Sequence, residues 1–175
     1  MLEIIGLAFL VLVILFWAPY AQRTTKSGAP FIPLEPEVIE EVMKLAEIKK
    51  DDVFYDLGSG DGRVVIAAAL RGAKEAYGIE IDFLRVWYSR LWLKALRLKN
   101  AQIIKGDFRH VDLSKATVVN MFLLQSTNEE LRNKLQKELK KGTRVISEAF
   151  TLPGWKLVKV SPNGPIYGPI YLYVV

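Results

Sequence analysis

The stretch VFYDLGSGDGR, residues 53–63, leaves this chain few folds to choose from. An apolar run ends in the carboxylate of Asp56, and Gly58, Gly60 and Gly62 follow at alternate positions before a run of small and β-branched residues begins at Arg63. That order reads as a strand, a tight turn through which another group can approach the backbone closely, and a helix. Such units build open parallel sheets whose ligands lie beyond the carboxyl ends of the strands.

The rest of the chain repeats the alternation. Pro36 is placed to open a helix over EVIEEVMKLAEI, with Val38, Val42, Leu45 and Ala46 on one face. Strands are predicted at Asp52–Asp56, in EAYGIEI, in AQIIKGD, in the nearly all-apolar ATVVNMFLL and in TRVISEAF. Helices are predicted over Arg63–Arg71, Asp82–Lys99 and Asn128–Lys141, the last stopped by Gly142. WKLVKV and IYLYVV read as a closing antiparallel hairpin, while FRHVDLSK and TLPG are too short for full helices. The expected fold class is α/β: a doubly wound, mostly parallel, Rossmann-like sheet with a C-terminal antiparallel hairpin.

The N-terminus does not belong to that scheme. Ile4 to Tyr20 carries no charge, and as a helix it would rise roughly 26 Å, close to the thickness of a bilayer's hydrocarbon. Trp17 and Tyr20 stand where an interfacial belt would lie. We read residues 1–22 as a single membrane anchor. A cleaved signal peptide competes, but Glu3 replaces the usual basic n-region and no small-x-small site follows. Every Lys and Arg lies after the span, which by the positive-inside rule puts the remainder on the cytoplasmic side. The 24 basic and 19 acidic residues give a net charge of +5, compatible with an anionic leaflet, a nucleic acid or an acidic protein. With no Cys and the single His110, a thiolate metal site, a cysteine nucleophile and a His-rich metal centre are excluded, so metal-free chemistry is expected.

Charge around the glycine turn narrows the ligand. Gly62-Arg63-Val64 lacks the Lys-Ser/Thr of a phosphate loop, and Arg63 stands where a dinucleotide fingerprint needs a third glycine. Asp56 and Asp61 flank the turn and would repel a pyrophosphate unless Arg63 compensated. S-adenosylmethionine has no phosphate and carries a cationic sulfonium and a cationic ammonium, which suits those carboxylates. Glu80 ends the second strand at the offset of a ribose acceptor, and Asp107 beside Phe108 ends the third as an acceptor for an adenine amino group.

YDLGSGDGR and GIEID resemble the first two motifs of class I S-adenosylmethionine-dependent methyltransferases. PFIPLEPEVIEEVMKLA, ATVVNMFLL, LQKELKKGTRVISEAF, GWKLV and YLYVV are similar to segments of the small archaeal protein-lysine methyltransferases, and WYSRLWLKALRL is closer to their membrane-anchored mitochondrial relatives. The resemblance covers Pro30 to Val175. It implies that Asp56, Gly58, Ser59 and Gly60 hold the methionine end of the cofactor, Glu80 and Ile81 the ribose, and Asp107 and Phe108 the adenine. It further implies that Phe31 and Pro33 act as lid residues and that Asn120 and Phe122 border the methyl-transfer channel. The domains are then an anchor at 1–22, a linker and lid segment at 23–34 and a methyltransferase domain at 35–175, yielding S-adenosyl-L-homocysteine as product. The expected partner is a protein with an accessible lysine, including membrane proteins. NMFL lacks the Asn/Asp-Pro-Pro-aromatic pattern of enzymes that methylate amino groups of nucleic acids, which lowers that reading.

No obligatory general base is expected, because an apolar channel and a neighbouring sulfonium both favour the neutral lysine. Asn120 and Glu148 are the candidate catalytic residues, Glu148 to steer the incoming ammonium; a solvated strand-end carboxylate is its alternative reading. His110, between Arg109 and Asp112, reads as a surface-loop residue. In the helix over 82–99, Leu84, Trp87, Tyr88, Leu91, Ala95 and Leu98 form the expected core stripe, with Val86, Trp92, Leu93 and Leu96 left over among basic residues; ordinary core packing with a solvated face is the leading reading, and a helix resting on headgroups is the alternative. Other readings are a methyltransferase acting on a membrane lipid or quinone, an RNA methyltransferase, and a non-catalytic adenosine-binding membrane module.

Overall fold

The computed structural model describes Gly6, residues 29–166 and residues 168–175. Apart from Gly6, the expected anchor at 1–22 lies outside the described residues, as do positions 23–28 of the linker. Among the described residues no helix is long and apolar enough to cross a membrane.

Helix α1 spans Pro36–Ala46, strand β1 Val53–Leu57, α2 Arg63–Leu70, β2 Glu75–Glu80, α3 Phe83–Ala95 and β3 Ala101–Lys105. A 3-10 turn at Phe108–His110 precedes β4, Val118–Met121, and α4, Gln125–Glu138; β5 at Arg144–Glu148, β6 at Leu157–Ser161 and β7 at Ile170–Val174 complete the chain. The strands form one seven-stranded sheet in the order β3-β2-β1-β4-β5-β7-β6. β1 pairs in parallel with β2 on one side and β4 on the other, so the winding reverses beside β1. β7 runs antiparallel between β5 and β6, which is the expected hairpin inserted into the sheet edge.

Helices α1, α2 and α3 cover one face, around Phe54, Val65 and Ile146, and α4 covers the other, around Leu57, Leu131 and Val145. β4 is buried at every position, as its unbroken apolar sequence implies. At the amino ends of the central strands, Asp52 is buried and ion-paired with Arg144 Nη2, and it accepts hydrogen bonds from Lys49 N and Thr117 Oγ1. Burial opposes its charge, but those bonds prevail and hold the carboxyl below its ordinary range. Arg144 Nη1 also donates to Glu47 O, so one ion pair joins the end of α1 to the starts of β1 and β5.

Two sequence expectations need correcting. Helix α4 starts at Gln125, not Asn128, because Asn128 is an anchor within the helix: its amide donates to Ser147 Oγ at 3.0 Å and to Thr151 O at 3.2 Å. The helix also ends before Gly142, where Leu139 turns extended and enters the core.

The core stripe of α3 is the other correction. Val86, Ser89 and Leu93 face the sheet, while Leu84, Trp87, Tyr88, Leu91 and Ala95 are exposed; of the expected stripe only Leu98, beyond the helix, packs on the core. The cause is the glycine turn. A Cβ on Gly62 would lie 3.1 Å from Ser89 Cβ, and Ser89 Oγ donates to Gly60 O at 3.1 Å and to Arg85 O at 2.6 Å. Close approach selects a small polar residue there, whatever the hydrophobicity of its neighbours.

Gly78 of β2 holds the turn from the other side. A methyl added to it would fall 2.5 Å from Ser59 Oγ and 2.7 Å from Ile103 Cδ1. We expect Gly78→Ala to cost about 1–3 kcal/mol of stability through overpacking, measured as a lower urea midpoint; an unchanged midpoint would mean that the turn yields freely.

Candidate active site

The carboxyl ends of β1, β2 and β4 converge on one open cavity of about 760 Å³, mouth included. The glycine turn forms its floor: the N–H groups of Gly58 and Ser59 donate to Ile79 O at 2.9 and 3.0 Å, stitching the turn to β2. Gly58, Gly60 and Gly62 all have positive φ, a conformation that glycine adopts without strain. Phe31, Pro33, Asp56, Gly58, Ser59, Gly60, Glu80, Ile81, Asp107, Phe108, Asn120 and Phe122, the residues singled out from the sequence, all line this one cavity.

Three acidic side chains on the wall carry an arginine each. Arg63 Nε reaches both oxygens of Asp61 at 2.9 Å, Arg85 Nη2 lies 3.3 Å from Glu80 Oε1, and Arg109 Nη1 lies 3.2 Å from Asp107 Oδ1. Asp56 has no such partner among the described residues. It is buried, and its Oδ1 accepts from Asn120 Nδ2 at 2.9 Å. Burial pushes its pKa up to about 7; the Asn120 bond resists this, and the charges of Glu80 and Asp61 add to it. Of the four wall carboxylates, Asp56 is the one whose charge is left for a ligand to match.

Glu80 is already engaged. Its Oε2 accepts from Gly60 N at 2.9 Å and its Oε1 from Asp82 N at 2.8 Å, leaving lone pairs for a diol. Phe31, one of the two expected lid residues, is seated over the turn: a Cβ on Gly60 would lie 2.5 Å from Phe31 Cε2, and the Arg85 guanidinium stands 5.1 Å from the Phe31 ring centre. Arg63 Nη1 donates to Leu34 O at 2.6 Å, closing the other end of the segment. Neither arginine shows in the sequence as a lid support. Arg63 stands out there only for the glycine it replaces, and Arg85 falls among the solvated basic residues of its helix.

Glu148 is fully buried, not solvated, and it is not among the residues that line the cavity. Burial pushes its pKa up to about 8, helped by the Asp56 charge. The Asn120 amide offsets a little of that penalty, but neither carboxyl oxygen has a hydrogen-bond partner among the described residues, nor does Asn120 Oδ1. A neutral carboxyl has a proton to offer such an orphan acceptor. His110 ends the 3-10 turn and is exposed, as its neighbours suggested.

A second cavity of about 520 Å³, mouth included, adjoins the first, sharing Ala29, Pro30, Ile32, Phe122 and Leu123 and extending to Leu124 and Phe150. Among the described residues its walls carry no titratable side chain. The arrangement is therefore a polar cavity with one unmatched carboxylate, opening beside an apolar slot.

Comparison with known proteins agrees with this geometry. The model of the ANTKMT methyltransferase domain matches residues 56–159. A protein-lysine N-methyltransferase of Saccharolobus islandicus is 42% identical over 83% of this chain and 93% of its own length. An ATP synthase lysine N-methyltransferase of Homo sapiens is 35% identical over 77% of this chain, which spans 58% of that protein. Among solved structures, an RNA methyltransferase from Salinibacter ruber in complex with S-adenosyl-L-homocysteine superposes with a TM-score of 0.76 at 35% identity, covering 82% of this chain and 94% of that one.

Two carboxyls raised above their unfolded values make stability depend on pH in a set direction. Their contribution is complete below about pH 4, where both states are protonated, and is lost as pH rises through about 7 for Asp56 and about 8 for Glu148. Glu148→Gln should therefore flatten the fall in unfolding free energy between about pH 5 and about pH 9, by an amount on the order of a few kcal/mol at the alkaline end. Parallel pH profiles for the variant and the parent would rule out a neutral Glu148.

Proposed function

The chain belongs to the family of the ANTKMT methyltransferase domain, and we propose that it is a membrane-tethered enzyme methylating lysines of proteins at a membrane surface. Family membership, together with the S-adenosyl-L-homocysteine held by a relative of 35% identity, makes S-adenosylmethionine the methyl donor. The lysine acceptor is supported by the protein-lysine methyltransferases among the relatives and, on this chain, by the apolar slot beside the cavity. The slot carries the argument: its described walls suit a chain of methylenes and, among those residues, offer no side-chain donor or acceptor to read the edge of a base.

The residues present fit the donor. Asp56, the unmatched carboxylate, would take its cationic amino end; Glu80 would accept from the ribose diol, and Asp107 beside Phe108 would take the adenine. When bound, the donor supplies a methyl group on a positively charged sulfur. The chain's own residues do the rest by placement. Phe31 and Pro33 cover the cavity, and Phe122 and Ile32 form part of the wall shared with the slot, excluding water between them. An amine entering the slot meets described walls that are apolar and hold no carboxylate, which favours its neutral form, so the proton is lost to solvent before entry and no side chain need act as base. Asn120, fixed by Asp56, stands at the border of the cavity as a positioning residue.

The tether and the cytoplasmic placement rest on the uncharged run Ile4–Tyr20 and on the basic residues that follow it. A second reading, RNA as acceptor, is favoured by one observation, the description of the Salinibacter ruber relative.

Incubating the full chain with methyl-labelled donor and a membrane extract should place label in protein lysine, resistant to nuclease and to lipid extraction. Label confined to RNA or to the organic phase would replace the lysine assignment. Donor affinity should also weaken as pH falls below about 7, by up to about tenfold per unit, because protonated Asp56 no longer balances a cation. Calorimetry on Asp56→Asn should find weaker binding and a flat profile; a slope retained in the variant would remove Asp56 from the site.

A further inference from the structure

The inverted stripe of α3 leaves a large apolar surface uncovered. Phe83 is 61% exposed, Leu84 55%, Trp87 57% and Trp92 47%, with Tyr88 and Leu91 between them. Spacings of three and four residues put them on one side of the helix, opposite Val86, Ser89 and Leu93. The charge around this face has one sign: from Phe83 to Gly106 there is no Asp or Glu, whereas Arg85, Arg90, Lys94, Arg97, Lys99 and Lys105 all fall in it. Arg85 and Arg90 are used internally, on Glu80 and on Ile103 O. Lys94, Arg97 and Lys99 are exposed, and Lys105 Nζ lies 5.3 Å from the Phe83 ring centre.

The geometry points to a docking function for this face: α3 lies flat in the headgroup region of an anionic lipid bilayer, its Trp and Leu side chains entering the acyl boundary and its basic rim meeting lipid phosphates. Two protein occupants fit less well. A second copy would bring the same basic rim against itself. The segment Ile4–Tyr20 has no polar stripe, so packing against α3 would cover one of its sides and leave the others in water. A bilayer covers that segment and α3 together.

Phe31 stands against Arg85, on the first turn of α3. The residues between Tyr20 and Ala29 span at most about 30 Å when extended, which bounds the distance from Ala29 to the surface that would hold the anchor. Ile81 and Arg85 line the cavity at the start of the same helix, so docking would present the cavity beside the membrane. This inference goes beyond the proposed tether and stands or falls separately from it.

The chain has no cysteine, so single Cys variants of the full protein can be labelled uniquely. A nitrobenzoxadiazole label on Leu91→Cys, on Lys137→Cys on the opposite sheet face and on Leu10→Cys within the apolar run would be read in phosphatidylcholine vesicles with and without phosphatidylglycerol, using nitroxide on the acyl chains as quencher. Strong quenching at position 91 but not at 137, falling without phosphatidylglycerol by roughly fivefold for each basic side chain engaged, is the expected result. Quenching at position 10 alone would leave the tether standing and overturn α3 docking. Quenching at 91 without quenching at 10 would keep α3 docking and remove the tether. Equal quenching at 91 in both vesicle types would overturn the anionic surface. A label at 91 shielded from an aqueous quencher yet untouched by the lipid quencher would assign the face to a second copy or to the N-terminal segment, and would also overturn the proposal.

Discussion

Asp56 is a carboxylate that the fold removes from water without supplying a cation from among the described residues. Its place in β1, between β2 and β4, fixes it at the reversal of winding, and the strand register sets Gly78 on one side and Asn120 on the other. Glu148, one strand further along, adds a second buried carboxyl within reach of its field. Two such groups cannot both ionise cheaply, so near neutral pH the pair tends to retain a proton. A cation delivered to Asp56 relieves that frustration. The site is thereby selective for a positively charged ligand by the cost of standing empty as much as by the contacts it makes.

The three arginines sharpen this selection. Asp61 and Glu80 are each matched and Asp107 shares Arg109 with Glu130, so the wall is partly balanced and Asp56 is the carboxylate on it without an arginine among the described residues. Arg63 and Arg85 have further tasks, one donating to Leu34 O and the other stacking on Phe31. Two of the three arginines on the wall thus also hold the segment around Phe31 and Leu34. Charge balance and the seating of that segment are coupled through the same two side chains.

What is legible in the sequence follows from which physical rule governs each element. The glycine turn, the strand ends and the hairpin are legible because backbone conformation and burial on two faces leave local signatures. The cavity lining follows, since residues at successive parallel strand ends must converge. The α3 face is misread from its pattern because its contact is made by Ser89 against Gly60 and Gly62, where proximity outweighs apolar area. Glu148 is misread because burial of a carboxyl depends on β7 covering β5, a pairing between segments far apart in sequence. The start of α4 is hidden for a similar reason, since Asn128 bonds to the distant Ser147 and Thr151, and not to its own helix end.

A chain of net charge +5 is an unpromising partner for lysine, and the distribution of that charge resolves the difficulty. The basic excess is concentrated on α3 and β3, at one edge of the sheet, whereas the reaction cavity holds the matched carboxylates and Asp56. On the proposed reading, an ammonium approaching the cavity would meet a largely paired wall with one anionic point, and the apolar slot beyond Phe122 would favour loss of its charge at the end of the path. With the basic edge turned to an anionic bilayer, lipid phosphates would screen the field that otherwise repels such a substrate. The surface that holds the enzyme in place would then also make its acceptor approachable.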